Sequence, residues 1–279
     1  RRVMSQGSGG QDDNTTGHVW DVDLRELNNP LPRWWMVLFV VTVVFSVIYL
    51  WLYPGLGSAK GSLNWTSTGQ YEAEQARARA AIAPLYARFA AMDEKQLAAD
   101  VQAMAIGERL FINNCAACHG SDGRGSKGFP NLTDSDWLWG GSFADVQKTI
   151  TEGRNGVMPP MAEAIGGGDN VRNIAQYVLS LAGSPHDSVA AQLGKPKFAV
   201  CAACHGPEGK GNPAVGAPNL TDKVWLHGWG EEAIAAMVNN GKNNAMPAQA
   251  SRLTPEQIRV LAAYVLRLSQ GTTKVAANP

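Results

Sequence analysis

The pentapeptide Cys-x-x-Cys-His occurs twice in this chain, at residues 115–119 and again at residues 201–205. This motif is typical of covalent attachment of c-type haem. Its two thiols stand about one helical turn apart and add to the two vinyl groups of haem, and the adjoining histidine ligates the iron. A redox dithiol needs no histidine at the next position, and a zinc site would usually show four thiolates or a downstream histidine pair. We therefore predict two covalently bound haem c groups.

Both motifs lie inside a longer internal repeat. Residues 128–134 match residues 216–222 at all positions but one, and the numbering offset stays at 88 from Pro130 to Met158. Each repeat has about 85 residues, which is small for a domain and typical of one stabilised by a buried cofactor. We therefore predict two tandem domains, 101–184 and 185–274, divided near a Gly-Ser-Pro linker.

Each repeat also offers a second iron ligand. Met158 and Met246 occupy equivalent positions about 40 residues after the histidine, and a proline follows both, whereas Met161 aligns with Gln249. Methionine opposite histidine suits an electron-transfer haem and raises its potential. The repeat predicts that Met158 serves the first motif and Met246 the second, but closely apposed domains can exchange these ligands, and the sequence leaves that open. The predicted site residues are therefore the thiols Cys115, Cys118, Cys201 and Cys204 and the axial ligands His119, His205, Met158 and Met246.

Glycine-rich loops at residues 120–125 and 206–211 follow the two motifs. They do not follow strands, and no Lys-Ser/Thr pair closes them, so they are not phosphate loops. Arg124 and Lys210 in these loops are candidates for contact with a haem propionate or with an acidic partner, and a solvated loop charge is the alternative. Four tryptophans are expected to wall the haem pockets or to pack in the core: Trp137, Trp139, Trp225 and Trp229.

A run of twenty uncharged residues extends from Trp34 to Tyr53. At 1.5 Å per residue it is about 30 Å long as a helix, the thickness of a hydrocarbon core. The run is too long and begins too late for a signal peptide. We predict a cytoplasmic tail at 1–32, with residues 7–14 mobile, and a transmembrane helix at 33–54. Arginines precede the span and only Lys60 closely follows it, which favours a cytoplasmic N-terminus.

The remaining segments are a connector, 55–100, and a C-terminal tail, 275–279. In the connector we predict an alanine-rich helix at residues 71–92, with a helical stripe of apolar side chains at Ile82, Leu85, Phe89 and Met92. The net charge of the chain is zero, which gives no indication of nucleic-acid binding.

The order of these features resembles the dihaem subunit III of cbb3-type cytochrome c oxidases. Residues 26–35, Glu-Leu-Asn-Asn-Pro-Leu-Pro-Arg-Trp-Trp, and residues 53–57, Tyr-Pro-Gly-Leu-Gly, carry that resemblance together with the two haem motifs. It implies a mostly α fold with one transmembrane helix and two class I-like cytochrome c domains, in which a C-terminal helix crosses an N-terminal one. It also implies that the carbonyls of Pro130 and Pro218 accept the proximal histidine N–H.

The same resemblance implies a function. The chain would receive electrons from a cytochrome c donor and pass them toward a monohaem subunit and a haem–copper subunit, where the complex reduces oxygen and pumps protons. It implies an inner-membrane protein with periplasmic haem domains and no catalytic residues of its own. The alternatives are a membrane-anchored dihaem donor to another enzyme, a dihaem peroxidase with one five-coordinate iron, and a gas sensor.

Overall fold

The computed structural model of the chain describes residues 14–21, 24–55 and 57–276. Nearly all of the predicted mobile segment at 7–14 and most of the predicted tail at 275–279 lie outside these ranges. Contacts divide the chain into two units, 1–80 and 81–279.

The first unit contains a β-hairpin and a long apolar helix. Strands β1 (Thr15–Trp20) and β2 (Leu24–Leu27) pair antiparallel in a segment for which we predicted no strand. Helix α1 (Arg33–Leu52) follows, and its apolar side chains are exposed along its length. Among the described residues, α1 alone is long and apolar enough to cross a membrane.

The hydroxyl groups of Thr42 and Ser46 in α1 form their hydrogen bonds within the helix itself. The hydroxyl of Thr42 donates to the carbonyl of Phe39 at 2.8 Å, and the hydroxyl of Ser46 donates to the carbonyl of Thr42 at 2.8 Å. Hydrocarbon offers no hydrogen-bond partners, so internal bonds of this kind are what a membrane-spanning helix requires.

Helix α2 (Ser67–Ala90) begins four residues before the predicted helix. Phe89 near its end is 1% exposed, and Leu85 and the following Met92 pack against the same core. Ile82, one turn earlier, is exposed. The predicted stripe is thus buried only in its second half, and the end of the connector forms part of the core of the second unit.

Helix α3 (Glu94–Ala99) begins with a reciprocal pair of hydrogen bonds. The carboxylate of Asp93 accepts from the backbone N–H of Gln96 at 2.8 Å, and the Gln96 side chain accepts from the backbone N–H of Asp93 at 3.1 Å. We expect Asp93→Ala to lower the free energy of unfolding by about 1 kcal/mol, since an unpaired N-terminal donor remains. Urea unfolding would measure this loss, and Lys95→Ala on the exposed side of α3 should change little.

The second unit contains two helical bundles, and each surrounds one Cys-x-x-Cys-His motif. The first bundle consists of α4 (Val101–Asn114), α5 (Ala116–His119), α6 (Phe143–Glu152) and α11 (Pro255–Ala276). Its buried core includes Phe111, Val146 and Leu261, one from each of the three long helices. Gly107 lets α4 cross α11 closely, because a Cβ at this position would stand 2.6 Å from Cβ of Tyr264.

The second bundle consists of α7 (Asp169–Leu181), α8 (Ser188–Gly194), α9 (Ala199–His205) and α10 (Glu231–Asn240), with a short 3-10 helix between α8 and α9. Ile174, Phe198 and Val238 lie in its core. The crossing of α7 and α8 is closer still than that of α4 and α11, because a Cβ on Gly194 would stand 2.1 Å from the carbonyl oxygen of Asn173.

A two-stranded antiparallel ribbon joins the bundles. Strand β3 (Arg154–Met158) pairs with β4 (Lys242–Met246) in register, so that Arg154 faces Met246 and Met158 faces Lys242. Through these strands the chain leaves the first bundle after α6, builds the whole second bundle, and returns to the first with α11.

This path exchanges the C-terminal helices of the two repeats. The predicted mostly α fold is confirmed, and an N-terminal helix crosses a C-terminal helix in each bundle. The crossing partners come from different repeats, since α4 packs on α11 and α8 on α7. The predicted boundary at residue 184 falls between α7 and α8, which belong to one core.

Candidate functional site

Each proximal histidine is held by a backbone carbonyl. Nδ1 of His119 lies 3.0 Å from the carbonyl oxygen of Pro130, and Nδ1 of His205 lies 3.0 Å from that of Pro218. A carbonyl only accepts, so Nδ1 carries the proton and the Nε2 lone pair is free for a metal. Burial lowers the pKa of His205, which favours the neutral form that ligates iron. These are the bonds that the family resemblance implied.

A glycine keeps each of these carbonyls in place. The φ of Gly125 is +68°, and a Cβ there would stand 2.3 Å from the carbonyl oxygen of Phe129 and 2.6 Å from that of Pro130. Gly211 in the second repeat has a φ of +84° and would meet the backbone between Ala217 and Asn219. A side chain at either position would displace the acceptor that orients the histidine.

The paired thiols stand one helical turn apart, as haem attachment requires. In the first motif the backbone N–H groups of Cys118 and His119 both donate to the carbonyl of Cys115, at 3.1 and 3.0 Å. Cys115 is half-buried and Cys118 exposed, and the second motif repeats this arrangement. Burial raises the pKa of Cys115 to about 11 and, more weakly, that of Cys201. The raised pKa keeps the thiols of Cys115 and Cys201 protonated at neutral pH before attachment.

The methionines lie on the opposite bundle from the one their repeat predicts. Met246 packs against the first core together with Cys115, whereas Met158 packs against the second core together with Cys201. The paired strands β3 and β4 carry each methionine across. Each methionine thus packs on the bundle that contains the haem motif of the other repeat.

Backbone contacts on both sides of the ribbon hold the methionines there. The N–H of Met161 donates to the carbonyl of Val238 at the end of α10, 2.8 Å away. A Cβ on Gly241 would stand 2.5 Å from the carbonyl oxygen of Met158, and one on Gly153 would stand 2.3 Å from that of Met246. The backbone of Met158 thus lies against the end of α10 in the second repeat, and that of Met246 lies against the end of α6 in the first.

The tryptophans take three different positions. Trp137 packs against the first core and Trp225 against the second. Trp139 lies between the bundles, against Gly216 and under the guanidinium of Arg154, which is 5.0 Å from the ring centroid. Trp229 is 59% exposed, and its Nε1 donates to the hydroxyl of Ser184 at 3.5 Å. Nothing in the repeat alone distinguished these positions.

The residues present fit a haem in each bundle. Each bundle combines exposed and half-buried thiols, an oriented histidine and a methionine from the ribbon, which is the donor set of a c-type cytochrome. Nε1 of Trp225 is buried without a hydrogen-bond partner, and a haem carboxylate would supply an acceptor. Met161 also packs near the second core but has no equivalent in the other repeat.

His186 and His227 have hydrogen-bond partners within the protein. Nδ1 of His186 lies 2.8 Å from the carbonyl of Ser184, and Nε2 of His227 lies 2.9 Å from the side-chain amide of Asn244. Burial lowers the pKa of His227, and nearby Lys242 and Lys127 lower it further. These contacts give neither residue a role as an iron ligand.

Comparisons with known proteins agree with the geometry. Residues 12–60 match the family model described as the N-terminal domain of cytochrome oxidase-cbb3, FixP. Residues 102–178 and 195–265 match the model described as cytochrome c oxidase, cbb3-type, subunit III.

Curated relatives cover almost the whole chain. A cbb3-type cytochrome c oxidase subunit CcoP from Rubrivivax gelatinosus is 68% identical over 99% of this chain and 89% of its own length. A subunit FixP from Azorhizobium caulinodans is 41% identical over 95% of both chains, and a FixP from Bradyrhizobium sp. strain ORS 278 is 40% identical over 92% of this chain and 95% of its own. The chain therefore belongs to the subunit III family of cbb3-type cytochrome c oxidases, as a membrane-anchored electron-transfer cytochrome with two c-type haems.

Proposed function

We propose that this chain carries electrons from a cytochrome c donor, through its two haems, toward the haem–copper subunit of a cbb3-type oxidase. The observation that carries the proposal is that each bundle combines a haem motif, an oriented histidine and a methionine from the ribbon. Attached haem supplies a one-electron couple at its iron. With a histidine and a methionine both bound to it, each iron would have no open coordination position, and the reaction would be outer-sphere electron transfer.

The protein contributes orientation and a fixed environment. The carbonyls of Pro130 and Pro218 hold the imidazole rings, and the paired strands of the ribbon hold the backbone of Met158 and Met246. Ligands that are held in place in both oxidation states keep the reorganisation on electron transfer small. Because each methionine packs beside the opposite motif, we assign Met158 to the haem on Cys201 and Cys204, and Met246 to the haem on Cys115 and Cys118.

The membrane orientation is part of the same proposal. Arg25 and Arg33 lie before or at the start of α1 and Lys60 follows it, which favours a cytoplasmic N-terminus and a periplasmic second unit. Haem attachment outside the cytoplasm supports the same orientation. Protease added to intact spheroplasts should therefore cleave the haem-bearing part of the chain, and protection of that part would contradict it.

Purification of the chain from its own membranes tests the proposed function. We expect a haem-staining band for this chain, two equivalents of haem c, and co-purification of a monohaem cytochrome c and a haem–copper subunit. If only one of the two haems showed a Met–iron charge-transfer band, the other iron would have an open coordination position. That result would indicate a peroxidase instead. Co-purification with a different enzyme and no haem–copper protein would indicate a donor to that enzyme.

A further inference from the structure

Two clefts lie between the bundles, and the repeat relates them. The first, of about 330 Å³, has one wall from residues 124–131 of the first bundle and the other from residues 224–228 of the second. The second, of about 340 Å³, has one wall from residues 210–219 and the other from residues 135–141. We call them the Trp225 cleft and the Trp137 cleft, after the tryptophan that lines each.

Each cleft borders the haem pocket of one bundle. Trp225 packs in the second core beside Cys201 and Met158, and Trp137 packs in the first core. Nε1 of Trp225 is buried and has no acceptor among the described residues. A buried indole N–H normally finds an acceptor, so this atom indicates that a hydrogen-bond acceptor outside the polypeptide belongs here.

The opposite wall of each cleft supplies positive charge. Arg124 and Lys127 line the Trp225 cleft, although they belong to the first bundle. Lys127 reaches across, because its Nζ lies 3.8 Å from where a Cβ on Gly228 would be. In the Trp137 cleft the second bundle supplies Lys210 in the same way.

We propose that the clefts hold the propionate carboxylates of the two haems, and that cations from the opposite bundle neutralise them. Arg124 and Lys127 neutralise the propionates of the haem on residues 201–205, the second-bundle haem. Lys210 neutralises those of the haem on residues 115–119, the first-bundle haem. A carboxylate that leaves water needs a cation and hydrogen bonds. Both clefts provide a cation, and in the Trp225 cleft the N–H of Trp225, unpartnered among the described residues, can also donate a hydrogen bond. The inference rests on the proposed haem ligation.

The two clefts differ in charge, and this difference predicts which of the two haems has the higher reduction potential. Two cations and no carboxylate line the Trp225 cleft, with Arg124 partly offset by exposed Asp122 at 3.6 Å. The Trp137 cleft contains Lys210 together with Asp136. Positive charge favours the reduced haem, which carries one positive charge fewer than the oxidised haem. The second-bundle haem therefore has the higher potential.

Redox titration of the intact oxidase complex with Lys127→Gln in this chain tests the proposal. We expect the second-bundle haem to become easier to oxidise, with its oxidised-to-reduced ratio at a fixed potential rising three- to tenfold. A tenfold change is about 59 mV for a one-electron couple. Lys127→Arg, which keeps the charge, should restore the wild-type value. Met158→His identifies the second-bundle haem in the titration, because it changes that iron's ligand directly.

Lys148→Gln is the matched control, since Lys148 is exposed on α6 and forms a surface ion pair with Glu152. A shift in the first-bundle haem, or a shift no larger than that of Lys148→Gln, would overturn the proposal. A lower wild-type potential for the second-bundle haem would overturn the ranking. Haem stain and subunit composition of the same samples report on the proposed function, so its failure is distinguishable from a failure of the cleft assignment.

Discussion

Met158→His should lower the potential of the haem on Cys201 and Cys204 and leave the haem on Cys115 and Cys118 almost unchanged. The reason is that Met158 packs in the second core, although it belongs to the first repeat. Replacing a thioether by imidazole removes the ligand that raises the potential. The drop should be on the order of a few hundred mV, because axial ligands spread haem potentials over about 0.8 V.

Single-haem backgrounds separate the two possible pairings. In a chain with Cys115→Ala and Cys118→Ala, the remaining haem should respond to Met158→His and not to Met246→His. In the mirror background, with both cysteines of the second motif replaced, the responses should reverse. The opposite pattern would show that each methionine serves its own repeat. Met158→Ala in the complete chain gives a second measurement, the loss of one of two Met–iron bands.

Gly194→Ala should cost more stability than any other single-methyl addition at the helix crossings. The new Cβ would stand 2.1 Å from the carbonyl oxygen of Asn173 and 2.5 Å from its carbonyl carbon, so α7 and α8 must separate. Overpacking of this kind costs about 1–3 kcal/mol and occasionally more. That is a large part of the total for a domain of ordinary stability, about 5–15 kcal/mol.

Urea unfolding, followed by the absorbance of the second-bundle haem, measures this loss. Gly107→Ala should cost less, since its nearest neighbour is the side chain of Tyr264 rather than a backbone carbonyl. Gln192→Ala on the exposed side of α8 is the control and should stay within about 0.5 kcal/mol of wild type. If Gly194→Ala accumulates poorly, the fraction of chains with both haems attached replaces the unfolding midpoint. Wild-type stability for Gly194→Ala would contradict the crossing described above.

The donor types could be read from the sequence because the chemistry fixes them locally. Covalent haem attachment needs its two thiols and histidine within five residues. The sequence alone therefore identifies residues 115–119 and 201–205 as attachment motifs. Equal placement in the two repeats predicts the two methionine ligands, and their role as iron ligands stays a prediction. The apolar span was equally clear, since a length of twenty uncharged residues is itself the signal.

The pairing of elements could not be read from the sequence. The repeat shows that α7 and α11 occupy equivalent positions. It does not show whether each helix packs within its own repeat or against the other repeat. The choice depends on β3 and β4, whose five-residue strands carry no distinctive strand pattern; Lys242–Met246 reads Lys-Asn-Asn-Ala-Met. The hairpin at Thr15–Trp20 and Leu24–Leu27 was missed for a similar reason, since its strands are short and exposed.

In the membrane orientation that we propose, the ribbon imposes an order on the maturation of the chain as it emerges on the periplasmic side. All of the second bundle, together with the strand that carries Met158, lies between residues 154 and 241 and is complete once that stretch has been exported. The first bundle stays open until β4 and α11 arrive at the very end. The motif at residues 115–119 is therefore enclosed only after α11 has been added. The motif at residues 201–205, although later in the sequence, is enclosed first.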